Sequence, residues 1–177
     1  MGRTRNYIYE DEYPYLITSM VHNNLPIFSI PQAATILLDG LTFLREKRNV
    51  SILAYIIMEN HIHVIVKGEQ LTLKIGSFKS YTARKIIDFM QNEGHTRWLH
   101  HLQYFGDLAD KSKQSYKLWE DGFYPKQIIG DDMLLQKIEY VHNNPVNRGY
   151  VDKAEHWRYS SAQNYAGLKG LIDVDLF

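Results

Sequence analysis

The first fifty residues contain two different hydrophobic patterns. The segment YPYLITSMV (13–21) is rich in aromatic and β-branched residues, which is typical of a β-strand. After a turn-rich link, apolar residues recur from Gln32 onward at intervals of three and four, and a basic turn follows. This spacing predicts an amphipathic helix whose buried positions are Ala33, Ile36, Leu37, Leu41 and Leu44.

Two continuous apolar runs come next and lie very close together. VSILAYIIM (50–58) and HIHVIVKG (61–68) each have the length and β-branched content of a buried strand. Only Glu59 and Asn60 separate them, so the sequence predicts a tight antiparallel connection.

The second half of the chain repeats the alternation of helix and strand. A helix is predicted over 71–94, and the polar stretch 95–115, which lacks periodicity, is predicted to be a long loop or insertion. The aromatic-rich segment 116–130 supplies a fourth strand. Two aspartates open a further helix over 131–144, and Pro145 ends it.

The resulting order is strand, helix, strand, strand, helix, strand and one more helix. This βαββαβ order predicts an α+β fold, a ferredoxin-like or RRM-like antiparallel sheet with helices on one face and an additional C-terminal helix. The segment HWRYSSAQNYAGLKG is predicted to form a short packed tail. No internal repeat or linker interrupts the pattern, so residues 1–177 are expected to form a single domain.

Composition narrows the possible functions only slightly. Of the 177 residues, 45% are hydrophobic and 23% are charged, which is ordinary for a globular protein. The absence of cysteine excludes disulfides and thiolate chemistry. No apolar run suggests a membrane span or a signal peptide, so a cytoplasmic protein is expected. The net charge is zero, but residues 74–126 carry nine Lys or Arg against six Asp or Glu, compatible with a local phosphate-facing surface or with a solvated face.

The most informative chemistry is the histidine pair at the start of the second apolar run. Because side chains alternate along a strand, His61 and His63 share one face, while Ile62, Val64 and Val66 share the other. Two adjacent neutral imidazoles can bind one divalent cation, although they can equally be strand histidines that neighbouring groups satisfy. A metal site would need at least one further oxygen or nitrogen donor.

The helix over 131–144 offers that donor together with a nucleophile. Tyr140 and Asn144 are four residues apart and would share one helix face. The amide oxygen of Asn144 is a hard ligand suited to Mg²⁺ or Mn²⁺, and the phenol of Tyr140 can attack phosphorus. A packed surface tyrosine and an NNP helix end are the simpler interpretations of the same residues.

Three motifs together resemble one protein family. MENHIHVIV, the downstream IEYVHNNPVNRGYV and the tail segment HWRYSSAQNYAG closely resemble the single-tyrosine HUH transposases, nearest the REP-associated tyrosine transposases. The resemblance covers most of the chain.

The resemblance implies a complete set of roles. His61 and His63 would be the metal pair, Asn144 the third ligand and Tyr140, on the additional helix, the nucleophile. The implied cofactor is a divalent metal, Mg²⁺ or Mn²⁺, with no nucleotide cofactor. The implied activity is nicking and rejoining of single-stranded DNA near palindromic hairpins through a 5′-phosphotyrosine, by a monomer or a homodimer.

DNA contacts are proposed from basic and aromatic residues outside this set. Basic side chains would contact phosphates, and Tyr124 could stack on an unpaired base, whereas Trp119 and Phe123 favour the core. The candidate DNA-binding residues are Arg3, Arg5, Lys79, Arg84, Lys85 and Tyr124.

Two other functions stay open at this point. A domesticated protein could bind DNA hairpins without cutting them. A different metalloenzyme could use His61 and His63 to hydrolyse a small phosphoester, without any need for Tyr140.

Overall fold

The computed structural model describes residues 8–104 and 115–177. The strands are β1 (Tyr15–Met20), β2 (Ser51–Ile57), β3 (His61–Lys67), β4 (Gln103–Tyr104), β5 (Ser115–Tyr116) and β6 (Tyr124–Gln127). The helices are α1 (Pro31–Arg48), α2 (Leu71–Asn92), α3 (Thr96–Leu102), α4 (Asp131–His142), α5 (Asn144–Asn147) and α6 (Ala162–Tyr165). Short 3₁₀ turns lie at 22–24, 27–29 and 154–156.

Four strands form an antiparallel sheet in the order β2-β3-β1-β6, while β4 and β5 pair separately. This is the strand order of a ferredoxin-like sheet, so the predicted α+β fold class is confirmed. The β2–β3 connection is as tight as predicted, because the Met58 amide donates to the carbonyl of His61 at 2.9 Å.

Helices cover both faces of the sheet. The larger core lies between one face and the α1–α2 layer, where Ile62, Val64 and Val66 are buried. On the opposite face α4 packs against β2 and β3. The smaller core there contains Leu16, Ala54, Ile56, Ile65, Leu134, Ile138 and Val141.

The tail is more closely integrated into the sheet than its sequence indicates. It follows the outer edge of β2, where the amide of Ile57 donates to the carbonyl of Tyr159 at 2.9 Å. The amide of Ser161 donates to the carbonyl of Tyr55 at 3.0 Å, and that of Asp175 to the carbonyl of Ile52 at 2.8 Å. The tail thus pairs an edge that would otherwise expose unsatisfied backbone groups.

The prediction of a loop over 95–115 is wrong at its start. Residues Thr96–Leu102 form α3, which packs against α2 and buries Leu99 and Leu102. The helix is too short for its apolar period to be recognised among polar neighbours. Residues 105–114 lie outside the described part of the chain. The fourth strand is also shorter than predicted, because only Tyr124–Gln127 pairs with β1.

None of the described helices is both long enough and apolar enough to cross a membrane.

Gly40 provides a direct test of the packing between α1 and α2. A Cβ at this position would lie 2.8 Å from Cε2 of Phe78, so we expect Gly40→Ala to destabilise the fold by about 1 to 3 kcal/mol through overpacking. A Cβ at Gly76 in α2 would meet no other atom within 4 Å, so Gly76→Ala should stabilise the protein by about 0.5 to 1 kcal/mol. Urea unfolding of both variants measures the difference, and equal effects would contradict the close approach.

Candidate active site

The histidine pair lies on the face of β3 that α4 covers. His61 and His63 are 5% and 6% exposed, and their ring centroids are 4.8 Å apart in an edge-to-face arrangement. Their alternation with buried Ile62 and Val64 places both imidazoles on the same side of the sheet, as the strand period requires.

Each imidazole is held through its Nδ1 atom. His61 Nδ1 donates to Oδ1 of Asn60 at 2.7 Å, which fixes its proton on that nitrogen. His63 Nδ1 lies 2.7 Å from the hydroxyl oxygen of Thr18 on the neighbouring strand. When His63 donates this bond, both Nε2 atoms present lone pairs, and a second hydrogen bond of this kind is characteristic of metal-binding histidines.

Burial keeps both rings neutral near pH 7. Burial is the main reason that the pKa of His61 falls to about 4; the positive charge of Arg148 acts in the same direction and Glu59 opposes it. Burial likewise lowers the pKa of His63 to about 3, with smaller contributions from His61 and Arg148. Neutral imidazole is the form that binds a metal ion.

Helix α4 places Tyr140 over this pair. The helix begins after Gly130, whose φ of +82° suits glycine, and has Asp131 and Asp132 in its first turn. Its apolar side is anchored by the buried residues Leu134, Ile138 and Val141. The opposite side presents Tyr140, which is 47% exposed and whose ring centroid lies 5.5 Å from that of His63.

Asn144 reaches the same cleft from a separate short helix. The chain leaves α4 after His142 because Pro145 cannot continue its hydrogen-bond ladder, so Asn144 opens α5 and is not part of the helix that carries Tyr140. Oδ1 of Asn144 is buried and has no hydrogen-bond partner among the described residues. A buried amide oxygen without a partner is costly, which makes this atom available to a cation.

These side chains line one cleft of about 380 Å³. Its walls are formed by Thr18, Met20, Asn60, His61, His63, Tyr140, Asn144, Asn147 and Arg148. The four residues proposed from sequence as the nucleophile and metal ligands therefore meet at one place.

Arg148 is a wall residue that the sequence motifs did not single out. Its Nη1 donates to Oε1 of Glu59 at 2.7 Å, and the hydroxyl of Tyr150 donates to the same oxygen at 3.2 Å. Arg148 belongs to the same motif as Tyr140, eight residues later, but the spacing alone does not show that α5 turns it toward the histidines.

The donor set can hold a divalent cation. No group of three or more His, Cys, Asp or Glu side chains that could hold a metal occurs within 8–104 and 115–177, so a cation here would rely on an amide as its third protein ligand. The amide oxygen is a donor suited to Mg²⁺ or Mn²⁺, the two imidazole nitrogens are donors for transition-metal ions, and remaining positions are open to substrate oxygens or water.

Lys79 does not lie where a DNA contact requires it. It is buried, and its ammonium donates to the carbonyls of Glu120, at 2.9 Å, and Gly122. It also lies over the ring of Trp119. The structure thus gives Lys79 a role in holding the 120–122 turn against α2, and its charge is not available to a phosphate.

The other proposed DNA contacts divide between two surfaces. Arg84 and Lys85 are exposed on α2, in the layer on the opposite face of the sheet from the histidines. Tyr124 is exposed on β6, directly opposite Thr18 in the register. Arg3 and Arg5 lie outside the described residues.

Comparison with known proteins extends the resemblance. No family model matches the chain. A "Putative REP-associated tyrosine transposase" of Haemophilus influenzae is 34% identical over 55 residues, which span 29% of this chain and 31% of that protein. The matched segment thus covers about a third of this curated relative's length.

The structural comparison covers the whole chain. The structure of a REP-associated tyrosine transposase bound to a REP hairpin superposes with a TM-score of 0.67 at 18% identity, over 100% of this chain and 95% of that one. A "putative transposase" from Deinococcus radiodurans R1 aligns less well, at 16% identity and a TM-score of 0.48 over 81% of this chain and 97% of that one.

The molecule is thus an α+β protein with a ferredoxin-like sheet and a histidine–tyrosine cleft. Its resemblance to the REP-associated tyrosine transposases, first apparent in its motifs, is confirmed in sequence over part of the chain and in fold over all of it.

If the cleft holds a metal ion, the Thr18–His63 contact should contribute measurably to the affinity for that ion. We expect Thr18→Val to weaken Mn²⁺ binding about 10- to 100-fold, because the ring of His63 loses the oxygen that orients it. Thr18→Ser keeps the hydroxyl and should bind nearly as tightly as the wild type. Isothermal titration calorimetry measures both, and equal affinity of the valine variant would contradict the orienting role.

Proposed function

We propose that this protein is a single-tyrosine DNA transposase of the REP-associated type. It nicks and rejoins single-stranded DNA near palindromic hairpins through a 5′-phosphotyrosine. The observation that carries the proposal is the convergence of Tyr140, His61, His63 and Asn144 on one cleft. A catalytically inactive hairpin-binding protein has no need to keep such a nucleophile beside two neutral imidazoles.

The relatives support the proposed substrate. The full-length structural neighbour is described as bound to a REP hairpin, and the partial sequence relative carries the name of the same transposase type. Hairpin-containing single-stranded DNA is therefore the proposed partner of this chain. We propose that the protein acts on it as a monomer or homodimer in the cytoplasm.

His61, His63 and Asn144 are the proposed ligands of Mg²⁺ or Mn²⁺. When bound, such a cation supplies positive charge that polarises a non-bridging phosphate oxygen. The protein's contribution is to hold both imidazoles neutral through burial and in orientation through Asn60 and Thr18.

Tyr140 is the proposed catalytic nucleophile. Its phenolic oxygen attacks phosphorus, an O–P bond forms, and the bond from phosphorus to the 3′ oxygen of the preceding nucleotide breaks. The phenolic proton passes to solvent, which reaches the half-exposed side chain, and the departing 3′ oxygen gains a proton. Attack by a 3′ hydroxyl on the phosphotyrosine reverses these steps and rejoins the strand, without an external energy source.

Arg148 is a further cleft residue with a proposed role in the reaction. Glu59 engages one of its terminal nitrogens, which fixes the guanidinium and leaves its other donors for an anion. A guanidinium positioned in this way stabilises the negative charge that builds on the phosphate oxygens.

Replacement of Tyr140 tests the proposed function. Labelled single-stranded DNA taken from the regions flanking the gene is incubated with protein and Mn²⁺, and the products are separated on a denaturing gel. Wild-type protein should form a covalent adduct, and Tyr140→Phe should form none because it lacks the attacking oxygen. Tyr81→Phe is the matched control, since Tyr81 is 51% exposed on α2 and should give the wild-type adduct.

Other outcomes support the other functions. Tight hairpin binding without any adduct under Mg²⁺ or Mn²⁺ would identify a binding protein. Phosphoester hydrolysis that needs metal but is unchanged by Tyr140→Phe would identify a different metalloenzyme.

Arg148→Ala should slow adduct formation about 100-fold at saturating DNA, the typical cost of removing one donor aimed at developing charge. Arg158→Ala is the control, because Arg158 is an exposed arginine of the tail that does not line the cleft. Single-turnover kinetics separate this effect from binding. A rate for Arg148→Ala equal to that of Arg158→Ala would contradict the assignment.

A further inference from the structure

A row of side chains leads from the cleft to β6, the strand at one end of the sheet. In the antiparallel register, His63 lies opposite Thr18, and Thr18 lies opposite Tyr124. Directly opposed residues point to the same face, so Tyr124 shares the face of the histidine pair. Two strand spacings separate Tyr124 from His63, roughly 10 Å. Its ring is 56% exposed, although it stands in the sheet.

Two lysines lie next to this row. Lys126 is opposite Leu16, whose side chain belongs to the core under α4, so Lys126 also lies on the histidine face. Lys137 precedes Tyr140 by three residues on α4 and therefore lies one turn away on the same side of the helix. One lysine is on the sheet and the other on the helix that packs over it.

The two lysines are close enough to affect each other. Partial burial lowers the pKa of Lys137, and the charge of Lys126 lowers it further. Within the described part of the chain, neither ammonium forms an ion pair with a carboxylate. Neighbouring like charges repel each other, and an anion between them would reduce that repulsion.

We propose that Tyr124, Lys126 and Lys137 form a strand-binding surface that holds single-stranded DNA beside the cleft. The two lysines bind a backbone phosphate next to the one that Tyr140 attacks, and Tyr124 stacks on an unpaired base. This inference rests on the proposed function, because it takes the substrate to be single-stranded DNA. This surface keeps Tyr124 from the DNA contacts proposed from sequence. It assigns the phosphate contact to Lys126 and Lys137, which adjoin the proposed nucleophile, in place of the α2 residues Lys79, Arg84 and Lys85.

The α2 residues provide a control of matched charge. Arg84 and Lys85 are exposed on the layer that covers the opposite face of the sheet, and Lys85 lies over the ring of Tyr81. The double variant Arg84→Ala/Lys85→Ala removes two positive charges, as does Lys126→Ala/Lys137→Ala. Any difference between them therefore reports position and not net charge.

The first measurement is the salt dependence of DNA binding. Binding of a labelled oligothymidylate of about 20 nucleotides to the full chain is followed by fluorescence anisotropy in EDTA, between about 50 and 200 mM salt. Loss of the one phosphate contact that the two lysines share should reduce the slope of log K against log salt by roughly 0.7 in Lys126→Ala/Lys137→Ala. The slope of Arg84→Ala/Lys85→Ala should equal that of the wild type. Lys126→Arg/Lys137→Arg should restore the slope.

The second measurement separates base stacking from phosphate contact. Tyr124→Ala should weaken binding of the oligothymidylate about tenfold, and Tyr124→Phe should not, because the ring is what stacks. An abasic strand of the same length offers no base, so its affinity should be equal for wild type and Tyr124→Ala. The lysine double variant should weaken both strands.

The following results would contradict the proposed strand-binding surface. Equal salt slopes for the two double variants would place the phosphate contacts elsewhere, and an equal loss on both strands would exclude stacking by Tyr124. Thermal unfolding shows whether each variant is folded, and the arginine variant tests the charges even if the alanine variant unfolds. Since binding is measured without metal, failure of this inference is distinct from failure of the proposed function, which appears as a missing adduct in the wild type.

Discussion

The need to bury two imidazoles inside a sheet determines much of this structure. A neutral histidine can leave water only if its polar nitrogens find partners. For His61 the partner is the preceding residue, Asn60, but for His63 it is Thr18 on another strand, so the β1–β3 register is part of the site. The same face must then be covered, and α4 covers it with three apolar side chains while leaving Tyr140 at the opening. Packing and chemistry therefore depend on the same strand.

Much of the fold could be predicted because its strongest signals are local. The alternation in β3, the three-and-four spacing in α1 and the two-residue gap before His61 each report the conformation of a short segment. The edge coverage of β2 could not be predicted in this way. The hydrogen bonds between β2 and the tail join residues about 100 positions apart. Nothing in the sequence around Ser161 or Asp175 indicates that these residues bond to β2. The sequence does not predict the short helix α3 for a different reason: two buried leucines do not establish a helical period.

In the candidate site, too, local sequence patterns reveal some residues and only the tertiary structure reveals others. Their spacing in the sequence predicts that Tyr140 and Asn144 share one helix, whereas the chain turns between them and brings them to the cleft from two helices. Thr18 and Arg148 could not be found without the sheet register and the turn after Pro145. For Lys79 the sequence predicts a functional contact that the structure does not allow, since a lysine on an amphipathic helix is expected to face solvent. Only the tertiary structure reveals the carbonyl groups that hold its ammonium.

The covered edge of β2 has a consequence for how the chain is made. The residues that pair with it, 157–175, leave the ribosome after every other element of the sheet. Until they emerge, β2 presents free backbone donors and acceptors that another nascent chain can pair with. The edge strand is therefore most exposed to intermolecular pairing during synthesis, and the final strand-like segment ends that interval when it docks. A slow ribosome near the tail would lengthen the vulnerable period without changing a single contact of the finished protein.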